Sequence, residues 1–204
     1  MGGGIALTYP SFPAAGPILR HIRGILVESP LIALAPTSAA SKLTVVLGKL
    51  ASRMMPNHQL VQKVAPALMS RDPKVCEEFR DDPLCHNTGT LAGLAAMLDR
   101  GERLVKGETI MKRDYGAGTF AVWVGHGSGD QVTDPVASRS WVERCEVVDK
   151  EFREYEGWFH KLHAEQGDCK EVFADEVAAW ILKRAGPIDV AAAMSPVDAS
   201  KAML

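Results

Sequence analysis

The hydrophobic pattern changes texture along the chain. Residues 22–29, IRGILVES, are a nearly continuous apolar run with β-branched members, ended by Pro30. A strand buried on both faces has this composition. The texture returns in TFAVWVGHGSGD, where residues 119–125 read as a second strand and a glycine-rich turn runs to Asp130. A third strand is expected over 150–155, where EFREYEGWFH alternates before turning at Gly157.

Helical periods separate these runs. Residues 3–9, GGIALTY, read as a short small-residue helix stopped by Pro10. In SKLTVVLGKLASRMM, the residues Leu43, Val46, Leu47, Leu50 and Met54 fall on one helical face. DPKVCEEFRDDPL is charged and bracketed by Pro73 and Pro83, and GTLAGLAAMLDRGERLV is a second amphipathic helix ending near Gly107. Residues 36–113 hold no convincing strand and read as a helical insertion. ASRSWVERCE is helical. The clearest helix is CKEVFADEVAAWILKRAGP, with an apolar stripe of Val172, Phe173, Val177, Trp180 and Ile181. Lys183 and Arg184 suit its C-terminal end, Gly186 is its expected cap, and Pro187 forbids continuation. Residues 187–204 read as a flexible Ala/Ser/Pro-rich tail.

Strands alternating with helices imply an α/β fold, with about three parallel strands in right-handed βαβ units and a helical insertion after the first strand. Three strands make a small sheet with edges to cover, so the sheet reads as incomplete on its N-terminal side. The expected divisions are 1–35, 36–113, 114–186 and 187–204.

Composition narrows the class. The 204 residues are 47% hydrophobic and 24% charged, with net charge −2. That is globular, without the basic surplus of a nucleic-acid binder or the polybasic run of an anionic-membrane binder. No apolar stretch reaches the ~18 residues of a membrane-crossing helix. The four cysteines, Cys76, Cys85, Cys145 and Cys169, form no C-x-x-C pair, and no secretory signal is evident. They read as reduced thiols of a cytoplasmic protein, the alternative being a Cys76–Cys85 bridge in an oxidising compartment.

Function in open parallel sheets collects in loops at the carboxyl ends of strands. The first such loop, GHGSGDQVTDP, offers Asp130, with His126 read as a turn residue and Asp134 as a helix N-cap before Pro135. The second, YEGWFHKLHAEQ, offers His160 and His163. Their spacing of three puts them on one face of a short helix, but no third ligand completes a metal site. An acidic loop followed by a histidine loop is the order of acid and base in a Ser…Asp…His triad. There the histidine takes the serine proton, and the aspartate fixes its tautomer and stabilises the imidazolium.

The two loops also carry a family resemblance. GHGSGDQVTDP resembles the G-x-x-D-x-(V)-x-x-P loop of the α/β-hydrolases. YEGWFHKLHAE is similar to the catalytic-histidine loop of monoglyceride lipases, with its H-x-L-H-x-E run. RGILVESPLI resembles their strand after the nucleophile helix, RDPKVCEEFRDDPL a piece of their lid, and MGGGIAL the part of their G-H-S-M-G-G elbow from the methionine onward. The resemblance runs colinearly over residues 1 to about 185 and implies the C-terminal part of an α/β-hydrolase. On this reading residues 1–35 and 114–186 are core and 36–113 a lid.

The resemblance further implies a serine ester hydrolase of the monoacylglycerol lipase type, with no cofactor. His160 would be base and then acid, Asp130 its orienting carboxylate, and the Met1 backbone nitrogen one oxyanion donor. The substrate would be a monoacylglycerol or similar lipid ester, with lid contact to lipid droplets or membranes. The nucleophilic serine would precede Met1, and Ser11, Ser29 and Ser128 lie in no G-x-S-x-G frame. The alternative is an inactive fragment or a lipid-binding remnant without turnover.

Overall fold

A computed structural model describes residues 1–111 and 120–186, with Lys42 described by its backbone alone. In chain order its elements are α1 (Gly2–Thr8), α2 (Gly16–Leu19), β1 (Gly24–Glu28), α3 (Lys42–Met54), β2 (Gln59–Val61), α4 (Pro73–Asp81), β3 (Thr88–Thr90), α5 (Leu91–Lys106), β4 (Ala121–Gly127), α6 (Pro135–Arg144), β5 (Asp149–Tyr155) and α7 (Cys169–Leu182). Single 3-10 turns cover residues 9–11, 13–15, 66–68 and 162–164.

The three expected strands form one parallel sheet in the order β1-β4-β5. Gly24 to Glu28 pair with Ala121 to Gly125, and Ala121 to Gly127 pair with Asp149 to Tyr155. All seven residues of the central strand β4 are buried. Its side chains alternate between two cores, as strand geometry requires. Val122 and Val124 join Leu7, Val27, Ile32, Leu104, Met111 and Trp141 on one face. Trp123 joins Tyr155, Leu162 and Phe173 on the other. Helices therefore cover both faces, which is what a parallel sheet demands.

Local signals set the element boundaries. Helices α3, α4, α5 and α6 begin on Ser41, Asp72, Thr90 and Asp134, each of whose side chains accepts a backbone N–H of the first turn. Gly3 and Gly4 of α1 are explained by close approach, since a Cβ on Gly3 would sit 2.9 Å from the Pro30 Cβ and one on Gly4 2.6 Å from the Leu31 carbonyl oxygen. Those contacts let α1 lie directly against the end of β1.

Several expectations change. Residues 36–113 do contain strands, because β2 and β3 pair antiparallel over three residues each. Runs of three residues are too short to show alternation. Strand β1 is shorter than 22–29 and ends before Ser29, which adopts a φ of +40°. Strand β4 continues through Gly125, His126 and Gly127, which the glycine content marked as a turn. Helix α7 ends at Leu182 with Lys183 as its cap, so Gly186 does not cap it. Phe173, Val177 and Trp180 face the core, whereas Val172 and Ile181 are exposed. Residue 119, the 113/114 division and the tail over 187–204, with Pro187, lie outside the described residues.

Among the described residues nothing covers the apolar stripe of α3. Leu43, Val46, Leu47, Leu50 and Met54 are between 55% and 80% exposed. Met69, by contrast, is ordinary core. Among the described residues no helix is long and apolar enough to cross a membrane, and all four cysteines are free.

Candidate active site

The carboxyl ends of β4 and β5 are stitched together by backbone contacts. The Ser128 N–H donates to the Tyr155 carbonyl at 2.9 Å, and the Gly129 N–H to the Trp158 carbonyl at 3.0 Å. The Gly157 N–H donates to Ser128 Oγ at 2.7 Å. A Cβ on Gly127 would lie 2.2 Å from the Trp158 carbonyl oxygen, so glycine is what lets the two loops close on each other. From the other side, Ala35 N–H donates to the Val132 carbonyl, and the Ala33 carbonyl accepts from Asp134 N–H. The loop bearing Asp130 is thus fixed from both flanks.

These ties bring Asp130 and His160 into contact, with Nδ1 of His160 lying 2.8 Å from Asp130 Oδ2. An ionised carboxylate only accepts, so Nδ1 carries the proton and Nε2 presents its lone pair. Nε2 has no hydrogen-bond partner among the described residues, and the His160 side chain is partly open to solvent while Asp130 is enclosed. This is the geometry of a histidine held in one tautomer with its basic nitrogen available.

Asp130 is saturated with donors. Oδ1 accepts the N–H groups of Val132 at 2.7 Å and Thr133 at 3.1 Å. Oδ2 accepts the Thr133 hydroxyl at 2.8 Å and His126 Nε2–H at 3.1 Å besides His160. Burial by itself opposes charge on this carboxyl. The hydrogen bonds from His126 and His160, the attraction of His160 and the Val132 amide outweigh it, holding the group far below the usual carboxylate range.

His126 corrects the expectation of a turn residue. It is fully buried, and with Nε2–H committed to Asp130, its Nδ1 accepts from the Ser138 hydroxyl at 2.9 Å. Ser138 on α6 thereby steadies His126, which steadies Asp130. Neither His126, Ser138 nor Thr133 stood out as a partner of Asp130 in the sequence. The one available signal was the spacing of four between His126 and Asp130 across glycines.

The remaining candidates sit apart from this pair. His163 turns to Glu28 at the end of β1, with Nδ1 to Oε1 at 2.5 Å, and that hydrogen bond raises its pKa above the ordinary histidine value. Among the described residues no group of His, Cys, Asp and Glu could hold a metal ion. Asp134 is the N-cap of α6. Met1 is the N-cap of α1, whose first turn packs on Pro30 just past the carboxyl end of β1, as the Asp130 loop lies just past the carboxyl end of β4. Ser11 donates to the Thr8 carbonyl. Ser128 Oγ is the acceptor of the loop tie, and the buried Ser29 hydroxyl has no partner among the described residues. None of the three is hydrogen-bonded to His160.

Known proteins share this arrangement of chain. The monoglyceride lipase of Rattus norvegicus is 29% identical over 185 residues, covering 90% of this chain and 56% of its own length. A Schizosaccharomyces pombe relative is 28% identical over 187 residues, covering 92% of this chain and 47% of its own. This chain therefore spans about half the length of the curated relatives it matches. The solved monoacylglycerol lipase of Paleococcus ferrophilus superposes with a TM-score of 0.75 at 25% identity, over 89% of this chain and 65% of that one. A soluble variant of the Saccharomyces cerevisiae monoglyceride lipase, solved with a substrate analogue, gives a TM-score of 0.75 at 23% identity, over 89% of this chain and 59% of that one. Residues 1–167 match the hydrolase family described as serine aminopeptidase, S33, and with its parallel sheet and flanking helices the chain belongs to that α/β-hydrolase family.

Proposed function

We propose that this chain is the acid–base half of a carboxylic ester hydrolase acting on monoacylglycerols or similar lipid esters. The observation that carries the reading is the 2.8 Å contact between Asp130 and His160 Nδ1, which leaves Nε2 free to act as a base. A serine outside residues 1–204 supplies the nucleophile. His160 Nε2 takes its proton as the oxygen adds to the ester carbonyl. The protonated imidazole then gives that proton to the departing glycerol oxygen. Water, deprotonated by His160, cleaves the acyl-enzyme and releases the fatty acid. Asp130 stabilises the imidazolium throughout, and the Met1 backbone nitrogen serves the oxyanion.

The segment between β1 and β4 acts as a lid. The exposed stripe of α3 supports contact with the lipid surface on which such substrates reside. On this reading residues 1–204 alone perform no covalent catalysis, because no serine among the described residues is paired with His160. Recombinant 1–204 is expected to release no fatty acid from monoacylglycerol and no nitrophenol from short esters. Turnover by residues 1–204 that disappears on His160→Ala would reveal another nucleophile and overturn the assignment.

A further inference from the structure

The peptide groups on both sides of His160 are held by residues far away in sequence. The Lys161 N–H donates to the Met69 carbonyl at 2.7 Å. The Phe159 N–H donates to Glu165 Oε1 at 2.8 Å. The Glu165 side chain is fully buried, and its Oε2 accepts from Arg71 Nε at 2.8 Å and from the Gln166 N–H at 3.2 Å. The Arg71 N–H reaches Oε1 at 3.3 Å. Next to this contact, Ser70 Oγ donates to the Ala164 carbonyl at 2.8 Å.

Met69, Ser70 and Arg71 belong to the segment between β1 and β4, immediately before α4. A carboxylate taken fully out of water needs its cation and its donors together. Glu165 has Arg71 as its only ion-pair partner among the described residues. The segment therefore does more than pack on the histidine loop. It supplies the charge that makes it favourable for Glu165 to stay inside and hold the Phe159 amide.

We propose that Arg71 and Glu165 are positioning residues, a clamp through which the seating of the β1–β4 segment sets the orientation of His160. This rests on the reading of His160 as the base. When the segment shifts at Met69–Arg71, the Phe159 and Lys161 amides are released together and the His160 ring loses its alignment with Asp130. Coupling of this kind makes the base competent only when the segment is seated.

The test uses the 1–204 chain and needs no turnover. Imidazole nitrogen resonances and the titration midpoint of His160 are followed by NMR, with amide exchange at Phe159 and Lys161, in wild type, Arg71→Met, Arg71→Lys and Asp130→Asn. Arg71→Met is expected to move the His160 midpoint and to speed exchange at both amides by about tenfold or more. Arg71→Lys, which keeps the charge but not the guanidinium geometry, is expected to recover part of both effects. Unchanged His160 signals in a folded Arg71→Met protein overturn the clamp. If Arg71→Met does not fold, Glu165→Ala takes its place, removing both the charge and the acceptor for the Phe159 amide, and an unmoved His160 there overturns it equally. Asp130→Asn separates the two readings. A His160 that ignores Asp130→Asn refutes the acid–base pair itself, whereas one that responds to Asp130→Asn but not to Arg71 refutes only the clamp.

Discussion

Strand β4 and helix α3 are both apolar in sequence, yet one is wholly buried and the other presents its apolar stripe to solvent. The difference lies in what each can pair with. β4 has a strand on either side and a hydrophobic cluster on each face. α3 packs against α5 through its other side, where Lys49 pairs with Asp99 and Glu102. A hydrophobic period states that a face avoids water, but the topology decides whether this chain supplies the cover. The buried region carries stability and holds the Asp130–His160 contact, while the exposed stripe of α3 is the surface we propose to meet lipid.

The largest effects are expected where β4 is packed. Trp123→Ala removes a fully enclosed ring from the cluster with Tyr155, Leu162 and Phe173 and should cost about 3–5 kcal/mol in denaturant unfolding. A loss under ~1 kcal/mol would mean the strand is less well packed than its burial implies. The next effect concerns acid. Because the folded state depresses the Asp130 pKa, its stabilisation is present above the unfolded carboxylate value, near 3.9, and is lost as pH falls through the folded value. Asp130→Asn should therefore flatten the acid limb of a stability–pH profile below about pH 5, and an unchanged limb would show that the carboxylate is not held as described.

Smaller effects are expected from the uncovered helix. Leu47→Glu and Leu50→Glu should each change stability by no more than about 0.5 kcal/mol, since neither side chain is enclosed. The same changes should weaken co-sedimentation with lipid vesicles. A large loss of stability with no loss of vesicle binding would reverse the contrast between the two regions. The smallest effect belongs to His163. Its raised pKa means that its stabilising contact with Glu28 is complete below the unfolded histidine value, near 6.5, and is lost as pH rises through the folded value. His163→Asn should remove a shallow decline in stability above about pH 6.5, measured by thermal melts across that range.

The legible part of the molecule was its local chemistry. Apolar runs located β1 and β4, alternation located β5, and Asp134 before Pro135 was readable as the N-cap that it is in the structure. Asp130 and His160 stood out because each follows a strand in a loop. What stayed hidden depends on residues distant in sequence. The glycines at 125 and 127 resembled a turn, but they continue a strand whose neighbours leave no room for a Cβ. His126 was disguised by those glycines. The Arg71–Glu165 pair spans 94 residues, and neither member carries a local signature of burial.

The central claim is that Asp130 and His160 serve ester hydrolysis. The most direct measurement is fatty-acid release from a monoacylglycerol by a protein that joins residues 1–204 to the proposed serine-bearing segment, by the same protein carrying His160→Ala, and by residues 1–204 alone. The account predicts turnover by the serine-bearing protein that falls by about a thousandfold or more in His160→Ala, with none from residues 1–204. Turnover unaffected by His160→Ala, or turnover by residues 1–204 alone, would contradict it.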